Sequence, residues 1–189
     1  MKSIIMAGTL FLTSGFAWAG AASDENLAHA KAATASFGKA LKSELVTAMQ
    51  SGGPVAAIEV CNLKAPGIAE AVALEQGVAI YRVSLKNRNP DNVPNDWQTA
   101  VLQEFERRKT GGEEPDSLAW SETRVVESGK EFRFMKAIPT ATVCLACHGE
   151  TLAAPVAQRI SELYPDDKAT GFSEGDIRGA FVVVKNLQP

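Results

Sequence analysis

The chain has 189 residues, 46% of them hydrophobic and 22% charged, with 19 Lys and Arg against 22 Asp and Glu for a formal net charge of -3. That length suits one domain with a modest hydrophobic core rather than two independent ones. The acidic balance and the lack of a basic run exclude a phosphate-backbone partner, so no nucleic acid is expected.

Residues 1–19 read as a secretory signal peptide. Lys2 supplies the positive start, Ile4 to Phe16 is apolar with small residues mixed in, and Ala17-Trp18-Ala19 matches an A-x-A cleavage site. The competing reading is an uncleaved anchor, because no charge lies between Lys2 and Asp24. The Gly, Ser and Thr content of that stretch makes it a weak bilayer span, which favours cleavage after Ala19. No later segment has the length and apolarity of a span, and no Cys follows the signal to carry a lipid anchor. The expectation is one folded domain over residues 20–189, soluble in a bacterial periplasm with no membrane insertion. Three Cys in an oxidising compartment is an odd count, which calls for an intermolecular bond, a free thiol or a cofactor.

Residues 24–50 contain no Pro, a single Gly and many Ala, Lys, Glu and Leu, which predicts a long helix. Leu27, Ala30, Thr34, Phe37, Leu41, Leu45 and Ala48 recur at steps of three and four as one buried stripe, closed by Gly52-Gly53. A second helical pattern runs through Val55, Ile58, Cys61 and Ala65, with a break expected at Pro66-Gly67 and a further helix from Ile68 to Gln76. Val78 to Lys86 alternates as a strand, and residues 87–94 are dense in turn formers. Asn95 or Asp96 caps a helix carrying Trp97, Val101, Leu102 and Phe105, ended by Gly111-Gly112. Residues 118–127 and 130–138 form a hairpin through Ser128-Gly129. A short helix near 154–164 and a last strand from Ile177 to Lys185 follow. This order predicts an α+β protein with an antiparallel sheet, since hairpins pair neighbours without a crossover.

Between the hairpin and the last helix lies Cys144-Leu145-Ala146-Cys147-His148, the C-x-x-C-H attachment signature of c-type haem. Two thiols three positions apart can each add to one porphyrin vinyl group, and the adjacent His148 can give its imidazole to the iron. Other readings compete. A thioredoxin-like redox pair expects a βαβ setting that is missing upstream of Cys144. A zinc site needs four ligands and would have to draw on distant Cys61 and His29. A plain structural disulfide stays open. The expected cofactor is one covalent haem c.

For the second axial position the residues offer Cys61, His29, Met49 and Met135. Met135 shares strand parity with Glu131 and Arg133, which places it on the more polar side of the sheet. His29 sits among Glu25 and Lys31 as a surface residue, and Met49 near a helix end suits a core gap. Cys61 lies on an apolar stripe with Ala57, Ile58 and Ala65, where an inert buried Cys is an equal reading.

Several further segments bear on that choice: Ala57-Ile58-Glu59-Val60-Cys61, Arg82-Val83-Ser84, Arg88-Asn89-Pro90-Asp91-Asn92-Val93-Pro94, Phe132-Arg133-Phe134, Cys144 to Gly149, and Asp176-Ile177-Arg178-Gly179-Ala180. Through them the chain from about Ala30 to Leu187 resembles a family of small bacterial haem-c proteins with a PAS-like fold. The resemblance implies a five-stranded antiparallel sheet flanked by helices. It also implies an iron held by His148 on one side and by the Cys61 thiolate on the other, with a low reduction potential. Arg82, Arg88 and Arg133 are candidates to pair with the haem propionates.

The expected function is a redox or diatomic-gas sensor module, by analogy with other PAS-like folds, whose signal passes to a partner protein. The alternative is a periplasmic electron-transfer cytochrome c with a redox partner. A haem peroxidase-type enzyme ranks last, because a filled sixth site leaves no open iron position and no catalytic residue is expected.

Overall fold

The computed structural model describes residues 17–127 and 129–187. Most of the signal segment and Ser128 of the hairpin turn therefore lie outside the described residues. Among these, no helix is long and apolar enough to cross a membrane.

Helix α1 (Ala17–Glu59) buries Ala30, Thr34, Phe37 and Ala48 of the expected stripe, and Ala33 beside them. It is bent where Gly53 takes φ 69 and ψ -164, a left-handed backbone that a side chain disfavours, and Pro54 then restarts the helix. The expected break at Pro66-Gly67 takes another form. Residues Val60–Lys64 make a wide π-helical turn that runs straight into α2 (Ala65–Gln76), with the Ala65 N–H donating to the Val60 carbonyl. Proline explains the widening. Pro66 has no N–H for the Asn62 carbonyl and its ring would crowd it, so the turn opens and Pro66 falls in the first turn of α2. Cys61 sits in this wide turn.

Strands β1 (Ala79–Val83), β2 (Ala119–Val126), β3 (Gly129–Pro139) and β4 (Ile177–Leu187) form one antiparallel sheet in the order β1-β4-β3-β2. The sheet has four strands among the described residues, not the five that the resemblance implied; residues 140–176 form turns and short helices instead. Between β1 and β2 lies α3 (Asp96–Thr110), which Asn95 caps with a reciprocal Gln98 bond. After β3 come α4 (Leu145–His148) and α5 (Ala154–Leu163).

Alternation along the strands makes two buried faces. Ile80, Phe132, Phe134 and Val183 pack with Phe37 of α1 and Val72 of α2. Val83, Met135, Ala137 and Val182 pack with Val101, Leu102 and Phe105 of α3. Met135 is therefore fully buried rather than on a polar side. Strand parity sorts side chains between faces but does not say which face a helix will cover, and here α3 covers that of Met135. On the same face Arg133 lies 4.8 Å over the Trp97 ring and pairs with Glu131 and Glu122.

Strands β1 and β4 meet very closely at one end. A Cβ on Gly179 would lie 2.4 Å from the Val83 carbonyl oxygen, so only glycine fits there. This seam opens onto the cavity described next.

Candidate functional site

The cysteine-histidine motif is held as a single turn between two anchored ends. At its start the Thr140 N–H donates to the Asp176 carbonyl at 2.8 Å. At its end the Phe172 N–H donates to the His148 carbonyl and the Gly171 N–H to the Gly149 carbonyl, both at 3.0 Å. Cys144 and Cys147, three positions apart, lie on the same side of the turn. All three cysteines are half-buried free thiols. Among the described residues no group of three His, Cys, Asp or Glu lies close enough together to hold a metal ion.

Cys61, Cys144, Cys147 and His148 all line one cleft. Its cavity volume is about 230 Å³, and its empty space about 1230 Å³ when counted out to the open mouth. Leu41, Leu45 and Met49 of α1, Ile58, Val83 and Ile138 give it apolar walls, and Arg82, Arg88 and Arg178 add charge. A second cleft, with about 710 Å³ of empty space on the same count, lies between Lys86, Leu102, Glu106, Phe172 and Asp176, and it holds none of the four.

His148 is oriented by the chain itself. Its Nδ1 lies 2.7 Å from the Ala169 carbonyl oxygen. A carbonyl only accepts, so Nδ1 is assigned the proton and Nε2 keeps a free lone pair. Burial, then the charges of Arg178 and Arg88, hold the imidazole pKa down at about 3, so the ring is neutral and able to bind a metal. Arg178 Nε lies 3.2 Å from Nδ1 and 3.5 Å from Nε2.

Arg88 fastens the motif to the loop behind it. Its guanidinium grips Asp167 with bonds of 3.0 and 3.1 Å, and donates to the Cys147 carbonyl at 2.7 Å and the Ala169 carbonyl at 3.2 Å. Both partners of this pair are buried. The carbonyl that orients His148 is thus itself held by Arg88. Burial pushes the Cys147 thiol pKa up, while Arg88 acts in the opposite direction.

The structure sorts the other candidates. Cys61 and Met49 reach the cleft, whereas His29 and Met135 are absent from its walls. His29 instead lies 3.3 Å from Lys185 Nζ, and Met135 is enclosed under α3. Arg82 and Arg88 line the cleft, but Arg133 is on the opposite face of the sheet. Sequence reasoning gave Arg178 no role, nor Asp167, nor the Ala169 carbonyl. Arg178 did leave a signal, as a charge at the head of an otherwise apolar strand, Ile177 to Val184. The carbonyl left none, because any residue supplies one.

Fold and site together define an α+β protein whose four-stranded sheet and helices frame a cleft lined by three cysteines and a histidine. Residues 19–185 match the model of the Tll0287-like family, and the chain belongs to that family. A solved structure with this fold is that of the cyanobacterial heme-protein Tll0287, 24% identical over 87% of this chain and 96% of that one, with a TM-score of 0.65. No curated protein matches the chain.

Proposed function

We propose that this protein is an exported c-type haem protein and that it acts as a redox or diatomic-gas sensor module. The observation that carries this reading is the convergence of C-x-x-C-H and the distant Cys61 on one large, mostly apolar cleft. The name of the similar solved structure, a heme-protein, supports it. Four antiparallel strands between helices also support a PAS-like fold, the setting from which the sensor role is drawn.

Haem bound there supplies a one-electron iron couple with two axial positions. Cys144 and Cys147 offer the two thiols for attachment, and His148 offers Nε2 in a tautomer fixed by Ala169. Cys61 offers a sulfur from the helical wall, where Met49 is its remaining competitor. A thiolate ligand favours the ferric state and a low potential. Leu41, Leu45 and Ile58 give the same space an apolar lining.

An electron-transfer role has one observation in its favour. Val143 lines the cleft and is exposed, so the rim beside Cys144 is open to a docking protein. Carbon monoxide added to the ferrous protein separates the two roles: a sensor binds it with loss of the Cys61 signature, and a simple carrier does not react.

The central test begins with the mass of the chain purified from cells with working cytochrome maturation. The expected mass exceeds that of the mature polypeptide by one haem, and a bare polypeptide would falsify the reading. Electron paramagnetic resonance of the ferric protein beside Cys61→Ala then tests the sixth ligand. Low-spin thiolate signals are expected to vanish in the variant while the added mass stays; unchanged signals would return Met49 to contention.

A further inference from the structure

Three arginines line the cleft, and no Asp, Glu or Lys does. Their states differ. Arg88 is neutralised by Asp167, and its Nη2 also donates to two backbone carbonyls. Arg178 uses Nη1 on the Ser84 hydroxyl at 3.0 Å and the Lys86 carbonyl at 3.1 Å, and its Nε faces His148. Its other terminal nitrogen has no partner among the described residues. Arg82 has neither a hydrogen bond nor an ion pair among them, and its guanidinium lies 5.8 Å from the Phe37 ring centroid. Two guanidinium charges are thus left uncompensated in a partly desolvated space, where an isolated charge is unfavourable and an opposite charge is strongly attracted.

We infer that Arg82 and Arg178 form a carboxylate-binding subsite, complementary to a ligand that carries two acid groups. The inference rests on the haem reading above, under which those groups are the two propionates. Each arginine has a planar fork of donors that matches a carboxylate, and each comes from a strand, β1 or β4, which fixes its base. The subsite takes two of the cleft's arginines and excludes Arg133, whose charge is already met by Glu122 and Glu131.

Resonance Raman spectroscopy of the holoprotein tests this through the propionate-bending mode, whose frequency falls when hydrogen bonds to the carboxylates are lost. Arg82→Gln and Arg178→Gln are each expected to lower that frequency. Each also removes a positive charge beside the iron. The ferrous to ferric ratio at a fixed ambient potential is expected to fall about tenfold, a downward shift of about 59 mV for one electron. Arg133→Gln is expected to change neither. Should Arg82→Gln fail to fold, Arg82→Lys keeps the charge and loses the fork, and is expected to shift the Raman mode with a smaller change in potential. A bending mode unmoved in the Arg82 and Arg178 variants, with haem mass retained, overturns the subsite and leaves the haem reading standing. Absence of haem from the native protein overturns both.

Discussion

The two segments that bring sulfur to the cleft are built in opposite ways. The turn bearing Cys144, Cys147 and His148 is tied at both ends by backbone bonds and held from behind by the Arg88–Asp167 pair. The turn bearing Cys61 is a π-helical widening, bounded by the left-handed Gly53 upstream and Pro66 downstream. Among the described residues no side-chain hydrogen bond comparable to the Arg88 clamp reaches Cys61. Under the haem reading proposed above, such a pairing would let the clamped turn stay fixed while the bond to Cys61 is exchanged.

The sharpest way to break this contrast is to remove the clamp. Arg88→Ala strands Asp167 as a buried, unpaired carboxylate and is expected to cost about 3–5 kcal/mol. Urea unfolding of the purified protein measures it, and a loss under 1 kcal/mol would show the motif to be held by its backbone bonds alone. On the compliant side, Gly53→Ala places a Cβ on a left-handed backbone with open space around it. The expected cost is about 1–2 kcal/mol, from the backbone rather than from a clash. A gain in stability would mean that the bend straightens readily.

The smallest effect concerns the outer part of the clamped side. Asp176 is held below the usual carboxylate pKa by Lys109 first, at 2.6 Å, and by the Ser173 N–H. Its folded pKa is depressed, so its stabilising contribution is present above the unfolded value of about 3.9 and is lost as pH falls through the folded pKa. The pair is partly exposed and screened, so the whole contribution is expected to be under about 1 kcal/mol. Asp176→Asn should flatten that acid limb of the stability curve, and an unchanged limb would assign it to other carboxylates.

Legibility in the sequence followed the same division. C-x-x-C-H stands in one contiguous piece, and the Ala30 to Phe37 stripe follows helical spacing, so both were readable from residues alone. The residues also mark four strand segments; the fifth is implied only by the resemblance. Cys61 became a ligand candidate over an inert core Cys through that resemblance, because its neighbours are as apolar as those of any buried thiol. The π turn was unreadable, since Pro66-Gly67 signals an interruption without saying whether a helix ends or widens. Met135 was misplaced because parity groups residues without showing that α3 lies over them. Arg178 reaches His148 from thirty positions away, a proximity set by the fold of the 167–178 segment rather than by any local pattern.

The cleft is assembled from residues as far apart as Leu41 and Gly179. Whatever occupies it bridges the first long helix and the final strand, and so works as a staple across nearly the whole polypeptide. Occupancy and global folding are therefore linked: a tightly held guest adds about 1.4 kcal/mol of resistance to unfolding for each tenfold excess over its dissociation constant. Trimming either terminus back past these walls would loosen the guest and the scaffold together.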